Sequence, residues 1–232
     1  MPRNHQQLEA LLEKLGISDI DRELVWQALT HSSYANEECI PHNERLEFLG
    51  DAVLELLTSQ YLYENYPEFS EGELTRLRAN LVCEPTLAEI ATTLGLGELL
   101  LLGKSQLATG GKHRPSLLAD AVEALLGAIY LWGGLSATRK VWRRLCEQPI
   151  LLMQRGELWQ DYKTRLQELV QKERPGDALV YQVVSETGPD HDKVFYVALS
   201  WAGRVIGRGS GRSKKEAEQK AAREALKIFT KK

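Results

Sequence analysis

Cysteine is scarce in this sequence. Cys39, Cys83 and Cys146 are the only three in 232 residues, and no two form a Cys-x-x-Cys pair. That spacing argues against a disulfide framework and a zinc site, and a reducing cytoplasm is the simplest setting. The first residues lack the apolar region of a signal peptide, and acids interrupt the longest apolar run. We therefore expect a soluble cytoplasmic protein without a membrane partner.

Alternating strand patterns are absent from residues 1–150, which predicts an all-α domain there. The spacing of the apolar residues changes after residues 151–160, which are predicted to be a linker. Residues 162–172 have helical spacing, three strand-like segments follow between residues 179 and 208, and a final helix opens at Ser213. The predicted fold class is an all-α domain followed by a small α+β domain, residues 161–231, of order αβββα.

Charge is divided unevenly between the two halves. The whole chain has a net charge of −3, which looks wrong for a nucleic-acid binder. Residues 159–232 carry 15 Lys+Arg against 10 Asp+Glu, net +5, which leaves 14 against 22, net −8, for residues 1–158. An acidic half suits a metal-binding catalytic domain, and a basic half suits phosphate binding.

The stretch from Asn43 to Val53 predicts an amphipathic helix, with Asn43 as its N-cap. At about 100° per residue, the acids Glu44, Glu47 and Asp51 lie within roughly 60° of one another, opposite the apolar face. A solvated acidic face is the alternative interpretation. A large aromatic side chain, Phe48, stands beside these acids and would be exposed in a monomer, so we expect it to contact a partner chain.

A second helix, residues 117–131, is apolar except for Tyr130 and two acids, Asp120 and Glu123. Such a helix must be largely buried, and a buried carboxylate costs several kcal/mol unless a cation compensates it. That cation is either a basic residue from elsewhere, as in a core salt bridge, or a divalent metal. Oxygen ligands suit Mg²⁺ or Mn²⁺.

Three other features of the first half receive structural interpretations. His31 has no nearby Cys or paired His, which favours a structural hydrogen-bonding role. Ser70 and Glu73 have the spacing of a capping box. The segment Gly103–Pro115, with its Gly-Gly pair and basic residues, is predicted to be a flexible basic loop that serves either as a connector or as an RNA contact.

Lys214 and Lys215 occupy the predicted N-terminus of the last helix. Cations there oppose the helix macrodipole, so a purely structural account predicts acids instead. Together with the free backbone N–H groups, the lysines form a predicted phosphate site, with Gly209 and Gly211 allowing close approach. Ordinary surface lysines are the alternative.

These motifs resemble known families. His42–Val53 is similar to the signature of the ribonuclease III family, and Leu118–Leu125 is similar to its second acidic motif; Ala28–Ser33 and Leu77–Val82 extend the likeness. The tail resembles the double-stranded RNA-binding domain in three segments, which are Lys163–Glu168, Gly188–His191 and Ser213–Ala217.

The first resemblance implies a Mg²⁺-dependent endoribonuclease acting on double-stranded RNA. It implies 5′-phosphate and 3′-hydroxyl ends with short 3′ overhangs, a role in processing rRNA and other structured transcripts, and no small-molecule substrate. The implied metal ligands are Glu47, Asp51, Asp120 and Glu123, with Asp51, Glu123 and Glu44 taken as catalytic. A two-fold homodimer with Phe48 at the contact is also implied. The alternative function is a non-catalytic regulator that binds double-stranded RNA.

The second resemblance implies the RNA contacts. The implied contact residues in the tail are Thr164, Gln167, Glu168, His191, Lys214 and Lys215, with the helix residues and His191 reaching two successive minor grooves. In the first domain, Glu71 matches an accessory acidic position of the family and is assigned to the same RNA-binding set.

Overall fold

The computed structural model of the chain describes residues 4–154, 162–188 and 193–229, without the side chains of residues 164, 165 and 168. The chain folds as two compact units, residues 1–159 and 160–232. Several predictions lie outside what is described: most of the linker, His191, and the side chains of Thr164 and Glu168. The predicted domain limits stay predictions.

The first unit is helical, as predicted, and its one bridge between described extended residues joins Thr30 to Leu101. Its helices are α1 (His5–Leu15), α2 (Arg22–Ala28), α3 (Ser32–Glu38), α4 (Glu44–Asn65), α5 (Glu71–Val82), α6 (Glu84–Leu94), α7 (Leu96–Leu99), α8 (Lys104–Ala108) and α9 (Pro115–Gln154). A 3₁₀ turn, Gly111–His113, precedes α9, and Gly134 kinks α9 with a φ of 65°.

Of the two helix caps predicted in the first unit, one is confirmed and the other is wrong. The capping box of α5 is confirmed, since the Ser70 side chain bonds the Glu73 backbone and the Glu73 side chain bonds the Ser70 backbone. Helix α4 does follow Asn43, but the prediction of a side-chain cap there is wrong. Asn43 has αR dihedrals and makes no side-chain cap bond. It is instead buried, and its N–H donates to the Thr30 carbonyl over 2.9 Å.

Helices α4 and α9 form the centre of the first unit. Their apolar faces meet in one buried cluster that includes Leu54, Leu57 and Leu125. By length and composition α9 could cross a membrane, but 61% of its most apolar window is buried inside the unit, as expected for a core helix. The prediction that this acid-bearing helix is largely buried is confirmed.

The segment Gly103–Pro115 is largely helical, so the prediction of a loop is wrong. It contains α8 and the 3₁₀ turn. The Arg114 guanidinium donates to Gln106 Oε1 over 2.9 Å and to Thr109 Oγ1 over 3.2 Å. Lys112 is paired with Glu98 at 2.7 Å. Side-chain bonds therefore stabilise this glycine-containing segment internally and connect it to Glu98.

The second unit has the predicted order αβββα. It comprises α10 (Tyr162–Glu173), β1 (Leu179–Thr187), β2 (Val194–Trp201), β3 (Arg204–Gly211) and α11 (Lys214–Phe229), and the antiparallel sheet has the order β1-β2-β3. Both helices contribute to a small core with the sheet, since Leu166, Leu199 and Ala221 belong to one buried cluster.

Glycines of β3 allow α11 to lie directly on the strand. A Cβ on Gly209 would overlap the Ala217 carbonyl oxygen, and one on Gly211 would lie 2.7 Å from the Glu216 Cβ. The prediction that these two glycines let a phosphate approach is therefore corrected, because the space beside them is filled by the protein's own helix.

Candidate active site

Three carboxylates from two helices meet on the first unit. Glu47 comes from α4, and Asp120 and Glu123 come from α9; one ligand oxygen of each lies within 4.8 Å of the others. All three side chains are half-buried. Asp51, one turn after Glu47, is exposed and outside this trio, but its charge raises the pKa of both Glu47 and Glu123.

A close helix crossing brings these acids together. A Cβ on Gly50 would overlap the Glu123 carbonyl oxygen, and a Cβ on Gly127 would overlap the Leu46 carbonyl oxygen. The backbones of α4 and α9 therefore touch at this point. Glu47 precedes Gly50 by one turn and Glu123 precedes Gly127 by one turn, so both acids project beside the crossing.

The electrostatics of the trio are unfavourable without a cation. Burial raises the pKa of Glu123 to about 7, and the charges of Asp51, Asp120 and Glu47 add to that effect. Burial, followed by the charges of Asp120, Glu44 and Asp51, also raises the pKa of Glu47. No described Lys or Arg pairs with these acids, so the core salt bridge that the sequence left open is not formed among the described residues.

The pKa of Asp120 is raised mainly by burial, and His31 provides the opposing attraction. The sequence did not reveal this proximity, because His31 belongs to a separate segment before α3. Glu84, in the first turn of α6, also raises the pKa of Asp120. It was not predicted either, and nothing in its local pattern connects it with the acids of α9.

The donor set fits a hard divalent cation. Carboxylate oxygens are the ligands that Mg²⁺ and Mn²⁺ prefer, and a cation would relieve the mutual repulsion that raises these pKa values. The half-buried positions leave room for ligands from a substrate or solvent. The chemistry of these residues is therefore that of an acidic metal site between two helices.

The other predicted residues of the first unit are exposed. Glu44 is exposed, lies 3.7 Å from His42 Nδ1, and raises the pKa of Glu47. Glu71 is exposed in the first turn of α5 and accepts a hydrogen bond from Thr75 over 2.9 Å. Phe48 is 81% exposed on α4.

The predicted RNA-binding residues that can be described are on the surface of the second unit. Gln167 on α10 is exposed, as are Lys214 and Lys215 at the start of α11. The Lys214 ammonium lies 5.7 Å from the centre of the Phe195 ring. Glu216 accepts from the Arg212 N–H over 2.8 Å, and the Glu216 N–H donates to the Ser213 hydroxyl over 3.1 Å. The prediction of free backbone N–H groups at this helix start is therefore wrong for these two groups.

Known proteins are similar to both units of the chain. A family model described as Ribonuclease-III-like matches residues 21–149, and a double-stranded RNA binding motif matches residues 162–228. A Ribonuclease 3 from Natranaerobius thermophilus is 51% identical over 233 residues, covering 100% of both chains. A Ribonuclease 3 from Desulforamulus reducens is 49% identical over 229 residues, covering 97% of this chain and 93% of the relative.

Solved structures agree as well. The nuclease domain of ribonuclease III from Campylobacter jejuni, described as flexible in the region involved in dimer formation, has a TM-score of 0.58 at 42% identity. The match covers 61% of this chain and 96% of that domain. Fold and site thus define a helical nuclease unit joined to an RNA-binding unit. The chain belongs to the ribonuclease III family.

Proposed function

We propose that this protein is a Mg²⁺-dependent endoribonuclease that cleaves double-stranded RNA, with Glu47, Asp51, Asp120 and Glu123 as the metal ligands. As a member of its family the chain is a ribonuclease III-type endoribonuclease. The observation that carries the metal assignment is the meeting of Glu47, Asp120 and Glu123 within 4.8 Å, on the amphipathic helix α4 and the apolar first half of α9. Asp51 completes the set because its charge reaches both Glu47 and Glu123.

The residues divide the chemical work between them. A divalent cation, when bound, would activate water and neutralise charge on the phosphodiester. Glu47, Asp120 and Glu123 would hold that cation through oxygens fixed on two helices, so little reorganisation would be needed during the reaction. Burial and the neighbouring acids raise the pKa of Glu123 to about 7 in the metal-free protein, so binding of the cation near neutral pH would release a proton from this carboxyl. The products have 5′-phosphate and 3′-hydroxyl ends with short 3′ overhangs.

The second unit holds the duplex. Exposed Lys214 and Lys215 at the N-terminus of α11 contact phosphates, while Gln167 on α10 faces a minor groove. Thr164, Glu168, His191 and, in the first unit, Glu71 complete the proposed RNA contacts. Most of these contacts read duplex shape rather than sequence, which suits a processing enzyme for rRNA and other structured transcripts in the cytoplasm.

A two-fold homodimer is the proposed assembly. Phe48, Leu56 and Tyr63 are 81%, 53% and 76% exposed, and their spacing on α4 places them within about 80° of one another. Such an apolar stripe is typical of a contact surface. The description of the Campylobacter jejuni domain also refers to dimer formation. Sedimentation should report about twice the monomer mass of 26.2 kDa, and a monodisperse monomer at micromolar concentration would contradict the dimer.

Incubation of purified protein with long duplex RNA tests the activity. We expect short duplex products with Mg²⁺, none with a chelator, and none from single-stranded RNA of the same sequence. End labelling should identify 5′-phosphate and 3′-hydroxyl termini. Tight binding of duplex RNA without any Mg²⁺-dependent cleavage would instead favour the binding-only regulator.

A further inference from the structure

His31 has a role beyond the cap that it forms for α3. Its backbone N–H donates to the Leu101 carbonyl over 3.0 Å, and the Leu101 N–H donates to the Leu29 carbonyl over 2.9 Å. The backbone N–H of Asn43, just before α4, donates to the Thr30 carbonyl over 2.9 Å. His31 is therefore held at a junction of three segments, and its backbone position is fixed.

The hydrogen bonds also fix which ring nitrogen carries the proton. Nδ1 accepts from the Ser33 backbone N–H over 3.1 Å, which caps α3. A backbone N–H can only donate, so Nδ1 has no proton and the neutral ring carries its proton on Nε2. The Ser33 hydroxyl, 2.8 Å from Nδ1, then donates to the ring while accepting from the Gly103 N–H over 3.0 Å.

The backbone places His31 next to the start of α4, because the neighbouring Thr30 carbonyl accepts from Asn43, the residue just before Glu44. His31 is close enough to Asp120 and Glu44 for both charges to act on it. Every hydrogen bond of the ring to the described residues is made by Nδ1. Arg114 also acts on His31 by its charge, but its guanidinium donates to Gln106 and Thr109. The Nε2–H is thus an oriented donor without a partner among the described residues, on a segment whose backbone is bonded to the residue before Glu44.

We propose that the Nε2–H of His31 donates a hydrogen bond to a non-bridging phosphate oxygen of the RNA strand bound at the acidic cluster. The inference rests on the proposed function, because it requires a phosphodiester at Glu47, Asp120 and Glu123. Carboxylates offer only acceptors to a strand whose phosphates are also acceptors, so a fixed N–H donor supplies the complementary group. Since the ring is already oriented, little conformational entropy is lost when it binds.

Two substitutions of His31 by amide side chains distinguish its role as the cap of α3 from its role as a hydrogen-bond donor. In His31→Asn the side-chain oxygen can replace Nδ1 as the acceptor for Ser33, but no donor reaches the position of Nε2. In His31→Gln the amide can reach the position of Nε2, but the cap is weakened. We expect His31→Asn to melt like the unmodified protein and to lose roughly ten- to a hundredfold in kcat/KM. His31→Gln should melt earlier and retain more activity. The control His5→Asn removes an imidazole that packs edge-on against Trp26 on the first unit, and it should keep full kcat/KM.

Metal affinity measured without RNA shows whether His31 acts on the RNA or on the metal-binding carboxylates. His31→Asn should bind Mn²⁺ with unchanged affinity, because the donor serves RNA and not Asp120. Full cleavage activity of His31→Asn, or a loss of its Mn²⁺ affinity, would overturn the proposal. Inactivity of the unmodified protein would instead overturn the proposed function.

The unmodified protein provides a test that needs no variant to fold. With ¹⁵N-labelled histidine, the Nε2–H resonance of His31 should shift when duplex RNA is added with Ca²⁺ in place of Mg²⁺, because Ca²⁺ also takes carboxylate ligands. A His31 resonance that stays in place at saturating RNA would show that the donor does not meet the strand.

Discussion

In the first unit, Glu47, Asp120 and Glu123 are half-buried on helices whose other faces form the core. In the second unit, Lys214 and Lys215 are exposed at a helix terminus. Charges held partly out of water interact strongly, and the energy of that interaction depends on the distances that helix packing sets. Surface charges are screened by salt and act almost independently. Single substitutions should therefore have large effects on the first unit and small, additive effects on the second.

The largest effect is expected for Glu123→Gln, which keeps size and removes the charge. Cleavage should fall at least about a hundredfold, since even partners of metal ligands contribute ten- to a hundredfold. Duplex binding through the second unit should persist. Because a like-charge cluster is relieved, the metal-free protein should melt at the same or a higher temperature. An exposed acid on α1 provides the control, Glu13→Gln, which should change neither.

A cleavage assay and a thermal melt on the same preparation decide between interpretations of Glu123. Loss of about 3–5 kcal/mol of stability would indicate half of a core salt bridge. A fully active variant would also exclude the metal-ligand assignment.

Gly50→Ala should have the next largest effect, because the added methyl group would overlap the Glu123 carbonyl oxygen. Helices α4 and α9 must then separate, at a cost of about 1–3 kcal/mol. Cleavage should fall further than this stability loss alone explains, since Glu47 moves away from Glu123. Gly72→Ala on α5 is the matched control, because no heavy atom lies within 4 Å of its Cβ position. Equal behaviour of the two variants would contradict the close crossing.

Metal affinity at the acidic cluster should depend on pH, because Glu123 must lose its proton to bind the cation. The folded protein holds a proton on Glu123 up to about pH 7, against an ordinary value of 4.5. The unfolded chain loses that proton earlier, so raising the pH between these values lowers the stability contributed by Glu123 in the metal-free protein. A metal binds the ionised form. Its affinity should therefore fall up to about tenfold per pH unit below 7 and level off above it.

Calorimetric titration with Mn²⁺ at pH 6, 7 and 8 measures this dependence. Titrations in buffers of different ionisation enthalpy should reveal proton release at pH 6 and little at pH 8. An affinity that does not change with pH would show that Glu123 is already ionised before the metal arrives.

The smallest effect is expected in the second unit. Replacing Lys214 and Lys215 with Ala should weaken duplex binding for all sequences and reduce the salt slope by roughly one to two units. Cleavage at saturating enzyme should persist. The double control Lys172→Ala, Lys227→Ala removes the same charge from the last turns of α10 and α11. If both pairs change the slope equally, the N-terminus of α11 is not a specific phosphate site.

Local patterns in the sequence determined much of this protein. Helical spacing, the Ser70 capping box and the change of period after residue 160 depend on neighbours within a few residues, so they could be read without a structure. The acids stood out for the same reason, because two carboxylates interrupt an otherwise apolar helix.

Only the tertiary structure decided how the distant segments meet. The crossing at Gly50 and Gly127 places Glu47 beside Asp120 and Glu123, and a junction of backbone hydrogen bonds brings His31 to Asp120. In place of the side-chain cap predicted for Asn43, the structure has a hydrogen bond from the buried Asn43 backbone N–H to the Thr30 carbonyl. Periodicity gives the face on which a side chain lies, but the crossing point and the partner of that face depend on packing between segments far apart in the chain.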